Sequence, residues 1–399
     1  MRRNMRLLPW WWMLRWPILG ESLWVIYLIE DHGFSLGEVF ILYSLFVAIA
    51  LIAEVPSGVV ADRYGRRPSV ILATGLIAAG FTVFGLADSA VLLGLAWLTL
   101  AVADAFMSGA DNALLYETMD ALGRRNDFAR TLGRFGALQG VFLAALVLLG
   151  AVIADATSLA VPFLLTGALA LPAVAIAWRL TEPPKIGDSE EQRSFVETGA
   201  VALRRARGTR TIATVILVFA VLTMSPELMG LTLQPIVRAE DLPLWTLGAF
   251  GAGVMLASAA GGWSSGWMRE RLGTVRLLWL SAALATASLF AGAAGTVFLL
   301  PLFLLPTFWW SLVQPQVTEY LSRRTEPSER ATVLSLMNFV PGLFGIGMAI
   351  GLAPLIDAAG LRETLAGASV TLLVLAGLTL TIWTRADRNE TARHSDAAG

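Results

Sequence analysis

Between Trp10 and Trp383 the chain is a succession of apolar stretches separated by short polar turns, and each stretch has the roughly 20 residues a helix needs to cross the hydrocarbon core of a bilayer. Twelve are read: 9–30, 37–60, 69–88, 91–116, 132–154, 160–179, 211–236, 244–267, 275–295, 297–321, 332–356 and 364–384. A water-soluble globule is excluded. Of 399 residues, 56% are hydrophobic and only 15% are Asp, Glu, Lys or Arg, against roughly a quarter charged in a soluble domain. Backbone groups in lipid must be satisfied within their own segment, so each stretch is expected to be helical. The expected class is all-α integral membrane, with twelve transmembrane helices in two six-helix bundles.

An even number of spans leaves both termini on one side. Basic residues near span ends are retained in the cytoplasm, and with the N-terminus inside, all but Arg238 and Arg362 of the 29 Lys and Arg residues fall at the cytoplasmic face. That count places Arg2, Arg3, Arg6 and Arg15 at the inner end of the first span. The long polar interruption from Thr181 to Arg210 divides the spans six and six. The expected organisation is an N-terminal bundle (1–180), a cytoplasmic linker (181–210), a C-terminal bundle (211–385) and a cytoplasmic tail (386–399). Within the linker, Phe195, Val196, Val201 and Leu203 among charges suit either a helix lying on the membrane face or a solvated tether.

Several function classes drop out. The formal net charge is −1 and the charges are sorted by membrane side, so nucleic acid binding is not indicated. The absence of Cys removes disulfides, thiolate catalysis and Cys-ligated metal. His32 is expected in an external turn and His394 in the tail, so neither forms a metal site, and no nucleophile and base converge as an enzyme requires. The basic start followed by Trp10, Trp11, Trp12 and Trp16 reads as an uncleaved anchor at an interface.

The two halves repeat each other. Gly58-Val-Val-Ala-Asp62-Arg63-Tyr-Gly65 and Gly266-Trp-Met-Arg-Glu270-Arg271-Leu-Gly273 match at one offset of 208, which also carries Asp111 onto Glu319. The first copy, continued by Arg66 and Arg67, resembles the G-x-x-x-D-R-x-G-R-R/K loop between spans 2 and 3 of the major facilitator superfamily. The resemblance implies two pseudo-symmetric bundles, a cytoplasmic latch made by this loop, and spans 1, 4, 7 and 10 around a central cavity. Acids at the inner ends of spans 4 and 10 would join the latch: Asp111 and Glu117 with Arg66 or Arg134, and Glu319 with Arg271 or Arg276. Gly58, Asp62, Arg63, Gly65, Arg66, Arg67, Glu270, Arg271 and Gly273 complete it.

Ionisable groups at membrane depth are costly and face cavities or carry function. Those read here are acids without basic companions: Glu21 in span 1, Asp104 in span 4, Glu227 after Pro226 in span 7, and Glu54, as a further coupling candidate, two residues before Pro56. Trp24, Trp309, Trp310 and Gln314 accompany them, and indole faces beside carboxylates suit a cation. A buried carboxyl that alternates between a proton and a cationic substrate gives proton-coupled exchange, with sodium as the other candidate ion. The expectation is a monomeric bacterial inner-membrane carrier, in contact with the lipid bilayer and a small-molecule substrate. It would export a small amphipathic cationic or neutral compound in exchange for protons, and no cofactor is expected. Span 5 lacks the Gly-Pro pair typical of drug–proton antiporters, so proton-coupled import of a small nutrient stays open.

Overall fold

The computed structural model of this chain describes residues 1–184, 210–295, 297–325 and 330–398. The linker positions expected to form a surface helix lie outside them. Among the described residues ten helices are long and apolar enough to cross a membrane. One of these, Leu244–Ala293, contains two of the expected spans, parted at Gly273, where φ 72 and ψ 155 leave helical space. The broken first segment supplies the twelfth.

The first unit, residues 1–192 with 241–255, contains α1 (Arg2–Leu14), α2 (Leu36–Tyr64), α3 (Arg66–Leu86), α4 (Ala90–Met107), α5 (Ala110–Asp120), α6 (Phe128–Ala156) and α7 (Val161–Arg179). Local chemistry fixes the ends. Ser35 and Glu38 form a reciprocal capping box at the start of α2, each side chain accepting the other's backbone N–H. Gly65, at φ 105 and ψ 168, ends α2 and opens α3. α3 packs between α4 and α7, and its Val70, Ala73 and Ile77 join Trp11 and Trp12 of α1 and Ala170, Ala173 and Ala177 of α7 in one apolar core.

Two spans of this unit are interrupted where the sequence predicts continuous helix. In the first, α1 starts at Arg2 and stops at Leu14; residues 15–23 are turns, followed by one α-turn at Trp24–Ile26 and a π-turn at Tyr27–Asp31. Pro17 has no N–H to continue the ladder. Gly20 packs against the Phe163 ring, and Gly150 of α6 leaves room for the Leu19 backbone. In the fourth, Gly109 at φ 74 separates α4 from α5, so Asp111 begins a new helix instead of ending a long one.

The second unit, residues 193–240 with 256–399, is built around α8 (Arg210–Arg238), with 72% of its apolar window buried, which makes it the central helix. The rest of α9 (Leu244–Ala293), α10 (Leu305–Arg324), α11 (Arg330–Ala359) and α12 (Leu361–Ala398) complete the unit, and α8 packs against α10, α11 and α12. Arg362, one of the two arginines assigned to the outer face, pairs with Glu240 at 3.0 Å.

The sequence repeat extends to contacts. Ser57 Oγ donates to the Ala105 carbonyl at 2.9 Å and Ser265 Oγ to the Leu312 carbonyl at 2.7 Å; the two serines are 208 residues apart and both are buried. Each reaches the neighbouring helix, and Ser57 Oγ also bonds the Glu54 carbonyl of its own helix at 2.9 Å. Ser57→Ala and Ser265→Ala are each expected to lower stability by about 1 kcal/mol, read as matching small falls in thermal unfolding temperature in detergent; a loss at only one site would break the equivalence.

Candidate functional site

Glu21 lies on the interrupted stretch of the first span, held by turn hydrogen bonds from Glu21 N to the Ile18 carbonyl (3.2 Å) and from Leu23 N to the Gly20 carbonyl (3.0 Å). Non-helical backbone at membrane depth is tolerated where it is buried in protein or lines a cavity. Here it borders a cavity of about 160 Å³ walled by Trp16, Trp24, Tyr43, Phe46, Phe81, Phe84, Trp97 and Phe163, with Glu21 its single acid. Trp97 organises the rings: its centroid is 5.2 Å from Trp24, 5.5 Å from Phe46 and 5.5 Å from Phe84, against which it stacks. Its indole N–H is spent on the Leu42 carbonyl at 2.8 Å. Sequence reasoning found Glu21 and Trp24 but not Trp97, a single aromatic in the apolar middle of a span.

Around the second interruption an arginine that the sequence reading left at the span end joins the acids. Arg15, assigned by sequence to the topogenic cluster, is half-buried and pairs with Asp111 at 2.5 Å, its guanidinium lying over Trp12 at 4.5 Å. Asp104 is within electrostatic reach of Arg15 and of Asp111, and Glu54 faces Asp104. The break at Pro17 causes the difference, because a straight span would have left Arg15 at its end. Asp111 therefore belongs to Arg15 and not to Arg66 or Arg134.

In the second unit, Glu227 follows Pro226 in α8. Its Oε2 is buried with no hydrogen-bond partner among the described residues, and its carboxylate rests where a Cβ on Gly345 of α11 would lie. Thr223, one turn earlier, accepts from Trp310 Nε1 at 3.1 Å; Trp309 is buried and its Nε1 has no partner among the described residues. Gln314 is half-buried. The buried glutamine is Gln316, which donates to Ser265 Oγ at 2.7 Å and so serves helix packing.

The loop motif forms a connected polar cluster. Arg66 pairs with Asp62 at 2.8 Å and with Glu117 at 3.3 Å, and Arg67 donates to the Trp178 carbonyl. Arg63 lies over Tyr64, and Gly58 has open space beside it. Glu182, which the sequence reading left in the linker, accepts from the Arg66 and Arg67 backbone N–H groups at 2.6 and 2.7 Å. It caps α3 from outside the helix, where unsatisfied N–H groups favour an anion. Asn4, fully buried, brackets the adjacent Thr181 main chain with two hydrogen bonds of 2.7 and 2.9 Å. In the second unit, Glu319 pairs with Arg269 and Arg323, in place of Arg271 or Arg276. Arg271 stacks over Trp267 at 4.4 Å and Glu270 is exposed.

A polytopic helical protein with repeated halves, broken spans and carboxylates on the breaks has the build of a secondary transporter. The family model of the Major Facilitator Superfamily matches residues 18–351, and the chain belongs to that superfamily, whose members are transporters rather than enzymes. It is 33% identical over 91 residues to the uncharacterized MFS-type transporter YxaM of Bacillus subtilis (strain 168). That match spans 23% of this chain and only 22% of the relative. Among solved structures, the nucleoside transporter NupG superposes with a TM-score of 0.73 over 97% of this chain and 99% of that one, at 13% identity. A bacterial homolog of the human lysosomal transporter Spinster, inward-facing and occupied, gives 0.74 over 96% of each chain at 15% identity. A POT family transporter in complex with 5-aminolevulinic acid gives 0.72 over 95% of each at 11%. These likenesses concern the fold.

Proposed function

We propose that this transporter exports a small amphipathic organic cation, or a neutral compound of similar shape, in exchange for protons by alternating access, from a bacterial inner membrane with both termini cytoplasmic. The observation that carries the reading is one carboxylate, Glu21, at a cavity walled mainly by aromatic rings. Ring faces attract cations most strongly when water is excluded, and the carboxylate supplies the counter-charge. A proton and a cationic substrate compete for that charge, and mutually exclusive occupancy is the logic of exchange. Glu227 provides an acid in the second half, and the bundles 1–180 and 211–385 are the bodies that move. The Asp62, Arg66 and Glu117 cluster with Glu182, and Glu319 with its arginines, latch the inner ends.

Proteoliposomes test this. An outward substrate gradient that drives protons the opposite way supports antiport; movement in the same sense identifies an importing symporter, and dependence on sodium alone removes protons from the mechanism.

The pocket also sets a preference. A primary ammonium brings three N–H donors that need acceptors, and Glu21 is the one carboxylate on the wall, whereas a quaternary ammonium has no donor to satisfy. A quaternary ammonium is expected to bind about tenfold more tightly than a primary amine of equal size, measured by tryptophan fluorescence titration. The reverse order would reject the ring-walled cage as the cation site.

A further inference from the structure

The two interrupted spans of the first unit are joined by one ion pair. Arg15, directly after α1, donates through Nη1 to Oδ2 of Asp111, the second residue of α5, at 2.5 Å. Both side chains are largely buried, at 15% and 7% exposure. The Nε of the same guanidinium is buried with no hydrogen-bond partner among the described residues. On the other side of the break stands Asp104, near the end of α4; its side chain is exposed and makes no hydrogen bond among the described residues. The charged groups within electrostatic reach of it are Arg15, Asp111 and, from α2, Glu54. Between the two aspartates lie Ser108 and Gly109, where the helix is broken by a positive φ.

A largely buried guanidinium with one donor filled, another without a partner among the described residues, and a second carboxylate within electrostatic reach across the break can be neutralised in two ways. We propose that Arg15 is a two-position tie: it holds Asp111 while Asp104 is protonated and is drawn to Asp104 when that carboxylate ionises, so that charge on Asp104 becomes movement at the Ser108–Gly109 break. Arg15 is thus a positioning residue, acting through Asp104. The tie does not depend on Glu21 as the cation site.

The chain contains no Cys, so spin labels can be placed at Leu95→Cys and Asn112→Cys alone, both exposed and on either side of the break. Their backbones are about 25 Å apart at helical rise. Pulsed electron paramagnetic resonance in nanodiscs between acid and alkaline pH is expected to show the distance distribution moving by ~3 Å or more. Asp104→Asn should hold the acid-side distribution at every pH. Arg15→Gln should abolish the response, and Arg15→Lys should keep it with a displaced midpoint. Should Arg15→Gln fail to fold, Asp111→Asn replaces it: with the competing partner gone, the alkaline distribution should persist throughout. A purely structural Arg15 would lower stability in these variants without changing the pH response, and that result overturns the proposal. So does a native distribution that ignores pH, or an Asp104→Asn protein that still responds. The readout needs no substrate, so its failure is separate from failure of the Glu21 pocket.

Discussion

Replacing Glu21 by Gln is expected to abolish proton-driven movement of a cationic substrate while leaving energy-independent exchange measurable. Gln preserves the volume of the side chain, so Trp24, Trp97 and the other ring walls keep their packing and the change is confined to charge. Removing one partner of a desolvated charge pair costs about 3 kcal/mol, which converts to roughly a hundredfold weaker cation binding. The rings retain ~0.5–2 kcal/mol of cation attraction, which is why exchange at high substrate concentration should survive. The pH dependence should change more sharply than the affinity. In the native protein, proton and cation share one carboxylate and transport varies with pH; in Glu21→Gln that competition has no site, and the remaining exchange should be flat across the same range. Flux in proteoliposomes with and without an imposed pH gradient measures both effects. Driven transport at the native rate in the variant would remove Glu21 from the mechanism. A neutral substrate should be nearly indifferent to the change, so comparing a cation with its neutral isostere also separates charge recognition from ring packing.

What the sequence made legible follows from what the bilayer enforces. Apolar length and basic turns placed the spans within a few residues, and the 208-residue offset located Gly65 and Gly273, whose backbones share a positive φ and an extended ψ. The interruptions were hidden for a physical reason. A membrane segment tolerates proline, because neighbouring helices can satisfy the freed carbonyls, so Pro17 alone does not announce a break. What completes it is tertiary: Gly20 against Phe163, and Gly150 against the Leu19 backbone. Arg15 was misplaced by the same error, since a straight first span puts it at the membrane edge. Trp97 carried no polar neighbour to mark it as a cavity residue. Glu182 was invisible because its ligands are backbone N–H groups more than a hundred residues away, for which no side-chain pattern exists.

Gly65→Ala is expected to be the most damaging of the motif substitutions, and its repeat partner shows why. Gly65 and Gly273 both occupy the region of positive φ and extended ψ that is essentially reserved for glycine, where a Cβ costs about 1–3 kcal/mol. Beside Gly273 the space is open, with nothing within 4 Å of an added Cβ. Beside Gly65 the same atom would overlap the Glu182 carboxylate, displacing it from the two backbone N–H groups it holds at the start of α3. Hydrogen bonds to a charged group contribute about 1.5–3 kcal/mol, so Gly65→Ala should lose about 3–5 kcal/mol and Gly273→Ala only the backbone part. Thermal unfolding in detergent should therefore rank Gly65→Ala well below Gly273→Ala. A Glu182→Ala background provides the control: there the Gly65 substitution should cost no more than the Gly273 one, because the carboxylate it would displace is already gone. Equal losses in the native background would mean that Glu182 contributes nothing to the junction between α2 and α3. The latch would then rest on Asp62, Arg66 and Glu117 alone.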